Sequence, residues 1–199
     1  LSARRVEPRG RLRLTAPVMY GRMRVAPIVT AFAARYPDVE VELLLLDRVV
    51  DLVEEGIDAA IRISRLPESS LVAIGVGETR RVLCAAPAYL RRAGTPRTPA
   101  DLADHRCIVF TGLTRNNEWS FAGEPPMRVA IRPALRTNQF DVAIEAVLRG
   151  LGCGQFLCYQ VEALMAKRKL TRVLGKYEPL PVPIQIVYPH ARLMSPNVR

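Results

Sequence analysis

This chain of 199 residues is poor in lysine and histidine. Lysine occurs only at positions 167, 169 and 176, and histidine only at 105 and 190. Neither histidine sits in a motif with a nucleophile, so the commonest acid–base groups of enzymes have no evident home. His105 follows an expected helix end and His190 a strand-ending proline, and both read as structural. The four cysteines, at 84, 107, 153 and 158, form no CxxC pair and have no companion histidine spacing. Each lies in an apolar run, where a small buried hydrophobe belongs. GxGxxG, P-loop, GxSxG and HExxH signatures are also missing. No catalytic residue, no metal site and no cofactor is therefore expected. No apolar run approaches the ~20 residues of a membrane span. The opening stretch LSARRVEPRG lacks the apolar core of an export signal, which makes a reduced, cytoplasmic setting the expectation.

What is present is an ordinary globular mixture, 49% hydrophobic and 24% charged, long enough for one large domain or two small ones. The net charge of +10 comes almost entirely from arginine, scattered along the chain. The one tight basic cluster is Lys167, Arg168 and Lys169, and no aromatic stacking motif accompanies it. The charge is accordingly read as a solvated face rather than a DNA footprint.

The organising stretch is Val39 to Ser64, read as strand, turn, short helix, strand. Val39 to Leu46 is a run of apolar residues, as in a strand buried on both faces. Asp47 or Asp51 is placed to cap the helix that follows, and Gly56 to end it in the left-handed conformation. Upstream, RLRLT alternates like a strand over residues 11–15. Val25, Ile28, Val29, Phe32 and Tyr36 then recur at a helical period, interrupted by Pro27. Downstream, 71–76 and 81–86 read as strands separated by Gly77 and Glu78. Thr98 and Asp101 have capping-box spacing, and 119–122 with 127–131 read as a hairpin. Asn138 is the expected cap of the clearest helix, whose apolar stripe runs from Phe140 to Leu151 with Glu145 and Arg149 paired four apart. A strand from Cys153 to Cys158, a helix from Val161 to Lys169 and a final strand from Pro183 to Tyr188 complete the reading.

This order predicts two α/β lobes joined by two crossovers, with a cleft between them. Ligands of such sheets collect beyond the carboxyl ends of the strands. The stretch Thr15 to Tyr20 follows a strand and opens a helix, and Asn138 opens a second one. Both helix starts suit an anion such as a carboxylate. Each also admits a local role, capping for Asn138 and a turn hydroxyl for Thr15. Ser64 and Thr111 end strands and are further candidates.

Three phrases carry a resemblance: RLRLTAPVMYGRMRVAPIVTAFAARYPDVEVEL, DRVVDLVEEGIDAAIRI and RRVLCAAPAYLRRAGTPRTPADLADHRCIVF. Together they resemble the regulatory half of LysR-type transcriptional regulators over residues 11–199. The resemblance implies two Rossmann-like subdomains of the type 2 periplasmic-binding-protein kind. It divides the chain into a linker remnant (1–10), subdomain I (11–79 plus 191–199) and subdomain II (80–190). It also implies a small-molecule effector in the cleft, touched by Thr15, Ala16, Pro17, Val18, Met19, Ser64 and Arg65 from one lobe and by Thr111 and Asn138 from the other. Many relatives carry a small hydroxyl residue where this chain has Met19, which removes a carboxylate contact and admits a bulkier or more apolar effector. Promoter DNA is expected to be held by a winged helix-turn-helix outside this chain, not by the chain itself. A homodimer is expected through the first helix, with Ala31, Phe32 and Ala34 as a small apolar patch. A closing helix in relatives, which this chain stops short of, implies an exposed apolar strip around residues 28–45. A solute-binding protein of a transporter is the alternative function, and an enzyme on the same scaffold a third.

Overall fold

The computed structural model describes residues 8–65, 71–112 and 116–189. These divide into two units, one of residues 8–78 with 183–189 and one of residues 79–182. The chain therefore passes between units twice, as expected. The remainder of the expected linker, His190 and the 191–199 tail lie outside the described residues.

The first unit is built on a five-stranded sheet. Its members are β1 (Gly10–Ala16), β2 (Val39–Leu45), β3 (Ala59–Ile63), β4 (Leu71–Thr79) and β12 (Val182–Pro189), in the order β2-β1-β3-β12-β4. β1 runs parallel to β2 and to β3, whereas β12 is antiparallel to β3. Three expectations change here. β2 is an edge strand in which only Val39 is buried, not a strand buried on both faces. The final strand, expected to close the second unit, instead pairs through Ile184, Gln185, Ile186 and Val187 with β3, because its apolar residues complete the first sheet. β4 continues through Gly77 and Glu78, so only Arg80 separates it from the next strand.

After β2 the chain makes hydrogen-bonded turns rather than a short helix. The Asp51 carboxylate accepts the Val53 and Glu54 amides at 2.9 and 3.0 Å, and Gly56 adopts φ +61°, as its position suggested. The turns place Val50, Leu52 and Ile57 over Ala60 and Val187. The same turns dock on β1, where Arg13 donates to the Glu55 carbonyl at 2.6 Å and to the Glu42 carboxylate at 2.7 Å. The helix after β1 begins as α1 (Val18–Tyr20), widens into a π-helical stretch over Gly21–Val25 and resumes as α2 (Ala26–Arg35). Pro27 at the start of α2 cannot donate a backbone hydrogen bond, and the widened turns precede it.

The second unit has its own five-stranded sheet, ordered β11-β5-β10-β6-β9. The strands are β5 (Arg81–Ala85), β6 (Arg106–Phe110), β9 (Arg132–Thr137), β10 (Cys153–Leu157) and β11 (Thr171–Val173), the last not foreseen. Around it lie α3 (Pro87–Ala93), α4 (Phe140–Leu148) and α5 (Cys158–Ala166), with the hairpin of β7 (Glu118–Phe121) and β8 (Met127–Ala130). α5 starts earlier than the basic-ended helix expected from Val161. The core gathers Leu83, Tyr89, Leu102, Val109, Trp119 and Val173, and each fully buried side chain of this size contributes roughly 1.5–3 kcal/mol.

Candidate functional site

In the first unit, β1 and β3 are parallel, so their carboxyl ends lie at one edge of the sheet. Thr15 and Ala16 close β1 and are each 1% exposed. Thr15 pairs with Ala60. Ser64 therefore lies beyond the same edge, about 13 Å past that level at roughly 3.3 Å per residue. It is half-buried, and Arg65 after it is exposed. Pro17 turns the chain into α1, where Val18 and Met19 are half-buried. The end of β1 thus leads through Thr15, Ala16, Pro17, Val18 and Met19, while Ser64 and Arg65 follow the end of the neighbouring β3 at the same edge of the sheet.

The first helix start is not an open anion site, however. The Val18 amide donates to the Asp47 carboxylate at 3.0 Å, so the chain supplies its own anion from the loop after β2. Removal from water pushes the Asp47 carboxyl above its usual range, outweighing the opposing pull of the Val18 amide and of Arg22. Thr15 carries a second irregularity, since its Oγ1 is buried and has no hydrogen-bond partner.

In the second unit, β6 and β9 are parallel and end side by side. Thr111 donates its amide to the Thr137 carbonyl at 2.8 Å and its hydroxyl to the same oxygen at 3.3 Å. Its hydroxyl proton is thereby occupied. Asn138 does not cap α4, contrary to expectation. The cap position falls on Gln139, whose amide donates to Thr137 Oγ1 at 3.1 Å. The displacement by one residue leaves the Asn138 side chain exposed and unpartnered among the described residues. Phe110 and Phe140 stack beneath, with ring centroids 3.7 Å apart, and fix the start of α4 against the end of β6.

Arg81, at the start of β5, was missed. Its Nε is buried without a partner, and burial alone lowers its pKa. A buried guanidinium nitrogen without an acceptor is costly unless a ligand supplies one. Nothing local in the sequence marks it, because its desolvation comes from residues distant along the chain.

The structural readings of His105 and the cysteines stand. The Tyr89 hydroxyl lies 3.0 Å from His105 Nδ1 and accepts the Arg106 amide at 3.1 Å. Burial pushes the thiols of Cys84, Cys107 and Cys153 up to about 12, which suppresses their nucleophilic form. No group of three or more potential metal ligands occurs among the described residues. No described helix is long and apolar enough to cross a membrane.

A cavity of about 450 Å³ also lies in the first unit, lined by Tyr20, Val25, Ile28, Val29, Ile61 and Ile186 among others. Of the nine candidate residues only Thr15 borders it. Part of the expected apolar strip is here, with Ile28 70% exposed.

The family model for the LysR substrate binding domain matches residues 5–199. The chain belongs to this family. It is an effector-sensing domain of the LysR type, and its relatives are regulators rather than enzymes. It is 32% identical over 197 residues to an uncharacterized HTH-type transcriptional regulator, YcaN of Escherichia coli, covering 98% of this chain and 65% of that protein. It thus spans less than two thirds of that relative. The structure resembles the regulatory domain of CrgA, a LysR-type transcriptional regulator from Neisseria meningitidis, at a TM-score of 0.81 and 25% identity, over 96% of this chain and 95% of that one. The full-length Vibrio cholerae virulence activator AphB shares the fold at a TM-score of 0.82 and 24% identity, over 96% of this chain and 66% of that one. The expected α/β, periplasmic-binding-protein-like class is the observed one.

Proposed function

We propose that this chain senses a small carboxylate and that occupancy controls transcription by a longer regulator. The observation that carries the ligand class is the buried Arg81 Nε, which has no hydrogen-bond partner among the described residues, together with the exposed Asn138 amide past the end of β9. The proposed contacts are Thr15, Ala16, Pro17, Val18, Met19, Ser64 and Arg65 in the first unit, and Thr111, Asn138 and Arg81 in the second. Arg81 supplies the counter-charge, Asn138 a neutral donor and Met19 an apolar wall. Thr111 serves as an acceptor, because its proton is committed to Thr137. Asp47 disfavours a second negative charge near Val18, which supports a monocarboxylate.

Binding of the effector shifts the balance between conformations of the regulator, and a coupling of about 1–3 kcal/mol suffices to alter DNA engagement. Promoter DNA is held mainly by a helix-turn-helix domain elsewhere in the full protein, in the cytoplasm. The chain pairs as a homodimer through the exposed Ala31 and Ala34 with half-buried Phe32 on α2.

The test is a thermal-shift screen of small aliphatic and aromatic acids, followed by calorimetry of hits on wild type, Asn138→Ala and Arg81→Gln. Both variants are expected to lose at least tenfold in affinity. Unchanged affinity in both removes the carboxylate reading.

A further inference from the structure

The positive charge of this chain is unevenly divided. Residues 79–182 hold sixteen basic and eight acidic side chains, which is +8 of the net +10. The fold concentrates part of that excess. A shallow, open depression of about 550 Å³ is lined by Arg91 from α3, Arg149 after α4, and Arg168 and Lys169 after α5. All four side chains are exposed. Only one carboxylate lines it, that of Glu145, and it is engaged at 2.6 Å by Arg149. Among the described residues Arg91, Arg168 and Lys169 have no acidic partner. Arg168 sits at φ +55°, a conformation that costs a non-glycine residue energy and that turns the chain between α5 and Leu170. The only tight basic run in the sequence is therefore folded back beside cations from two other helices.

We propose that this depression is a contact surface for the phosphate backbone of duplex DNA, auxiliary to the regulator's principal DNA-binding domain. It rests on membership in a family of DNA-binding regulators, not on the identity of the effector. Three features favour a polyanion over a small anion. The depression is open, and its cations come from three separate segments of the chain. None is buried, so no desolvated site is built for one ligand. Their partners would be a row of charges, as phosphates on a duplex provide. A cation in the last turn of a helix also offsets the helix dipole, but that accounts for the cations helix by helix and not for their meeting in one place.

The experiment uses this chain and a fluorescein-labelled 30-base-pair duplex of mixed sequence, read by anisotropy between 25 and 150 mM KCl. Neutralising three to four phosphates gives a slope of log K against log salt of about −3 to −4, at roughly 0.9 per phosphate on B-form DNA. The triple variant Arg91→Glu, Arg168→Glu, Lys169→Glu is expected to lose at least tenfold in affinity at 50 mM and to flatten the slope by about 2 to 3. The comparison variant Arg97→Glu, Arg128→Glu, Arg132→Glu has the same net charge and is expected to keep most of the affinity. Unfolding melts of both variants establish that they are folded. Equal losses in the two variants, no duplex binding by wild type, or tighter binding of a polyglutamate peptide or tripolyphosphate than of the duplex would each overturn the proposal.

Discussion

Asp47 and Asp101 are the same residue type held in opposite ways. Asp101 accepts the Arg97 amide at 2.7 Å, the Thr98 amide at 3.0 Å and the Thr98 hydroxyl at 2.9 Å, and these bonds, the Arg97 amide first, hold its carboxyl below the usual range. A depressed folded value favours the native state above the ordinary carboxylate range and loses that contribution as pH falls through it. Asp101→Asn should therefore flatten the stability profile below about pH 4, measured by urea unfolding across pH. Asp47 has a raised value, so the native state holds its proton more tightly and stability falls as pH rises through the window just above the ordinary carboxylate range. Asp47→Asn keeps an acceptor for the Val18 amide, removes that decline and should strengthen carboxylate binding several-fold at pH 7. Thr15→Val is isosteric and deletes a buried hydroxyl with no partner. It should raise the stability of the free protein by about 1–3 kcal/mol in urea unfolding. Loss of stability would mean that the hydroxyl has a partner in solution. At pH 8 a disulfide-exchange reagent should label at most the partly exposed Cys158 quickly, because burial raises the other three thiols to about 12.

The elements are joined by close approaches that single atoms can break. Gly152 follows α4 and enters β10 against β6, where an added Cβ would stand 2.3 Å from the Arg106 carbonyl oxygen. The obstacle is backbone and cannot rotate away, so Gly152→Ala should destabilise by about 1–3 kcal/mol, readable as a lower urea midpoint at unchanged slope. The devices within a few residues of one another were legible beforehand. The Thr98–Asp101 box, the Glu145–Arg149 pair, the turn glycine at 56 and the β7–β8 hairpin depend only on helix and turn geometry. The cap of α4 was missed by one residue, since the cap position falls on Gln139, whose amide is held by Thr137 Oγ1. The short helix expected after β2 yielded to turns, in which Asp51 accepts the Val53 and Glu54 amides and Arg13, from β1, donates to the carbonyls of Glu55 and Gly56.

Over the whole molecule, effector binding and stability are coupled. A ligand that binds only the folded chain stabilises it by about 2.7 kcal/mol at a hundred times its Kd, so the correct acid should declare itself by melting temperature before any contact is mapped. The assembly expectation is checked by size-exclusion chromatography with light scattering, where a dimer mass at micromolar concentration is anticipated. Arg81 and the Arg91–Arg168–Lys169 rim belong to this scale as well. Neither is visible until strands and helices far apart in sequence are packed, because desolvation and charge density are properties of a surrounding and not of a residue.

The sequence alone determined the alternation of strands and helices, the two passages between units, the inert cysteines and the membership in a family of ligand-sensing domains. The first three follow from periodicity, spacing and local hydrogen bonding, which act over a few residues, whereas the family came from the resemblance of three phrases to its members. Tertiary structure decided that the last strand joins β3, that Val18 already has an anion in Asp47, that Thr111 spends its proton on Thr137, and that the scattered arginines of the second unit meet at one rim. Each of these is a pairing across tens of residues or more. Such pairings are chosen by which register buries the apolar faces of a whole sheet, and no short pattern contains that choice.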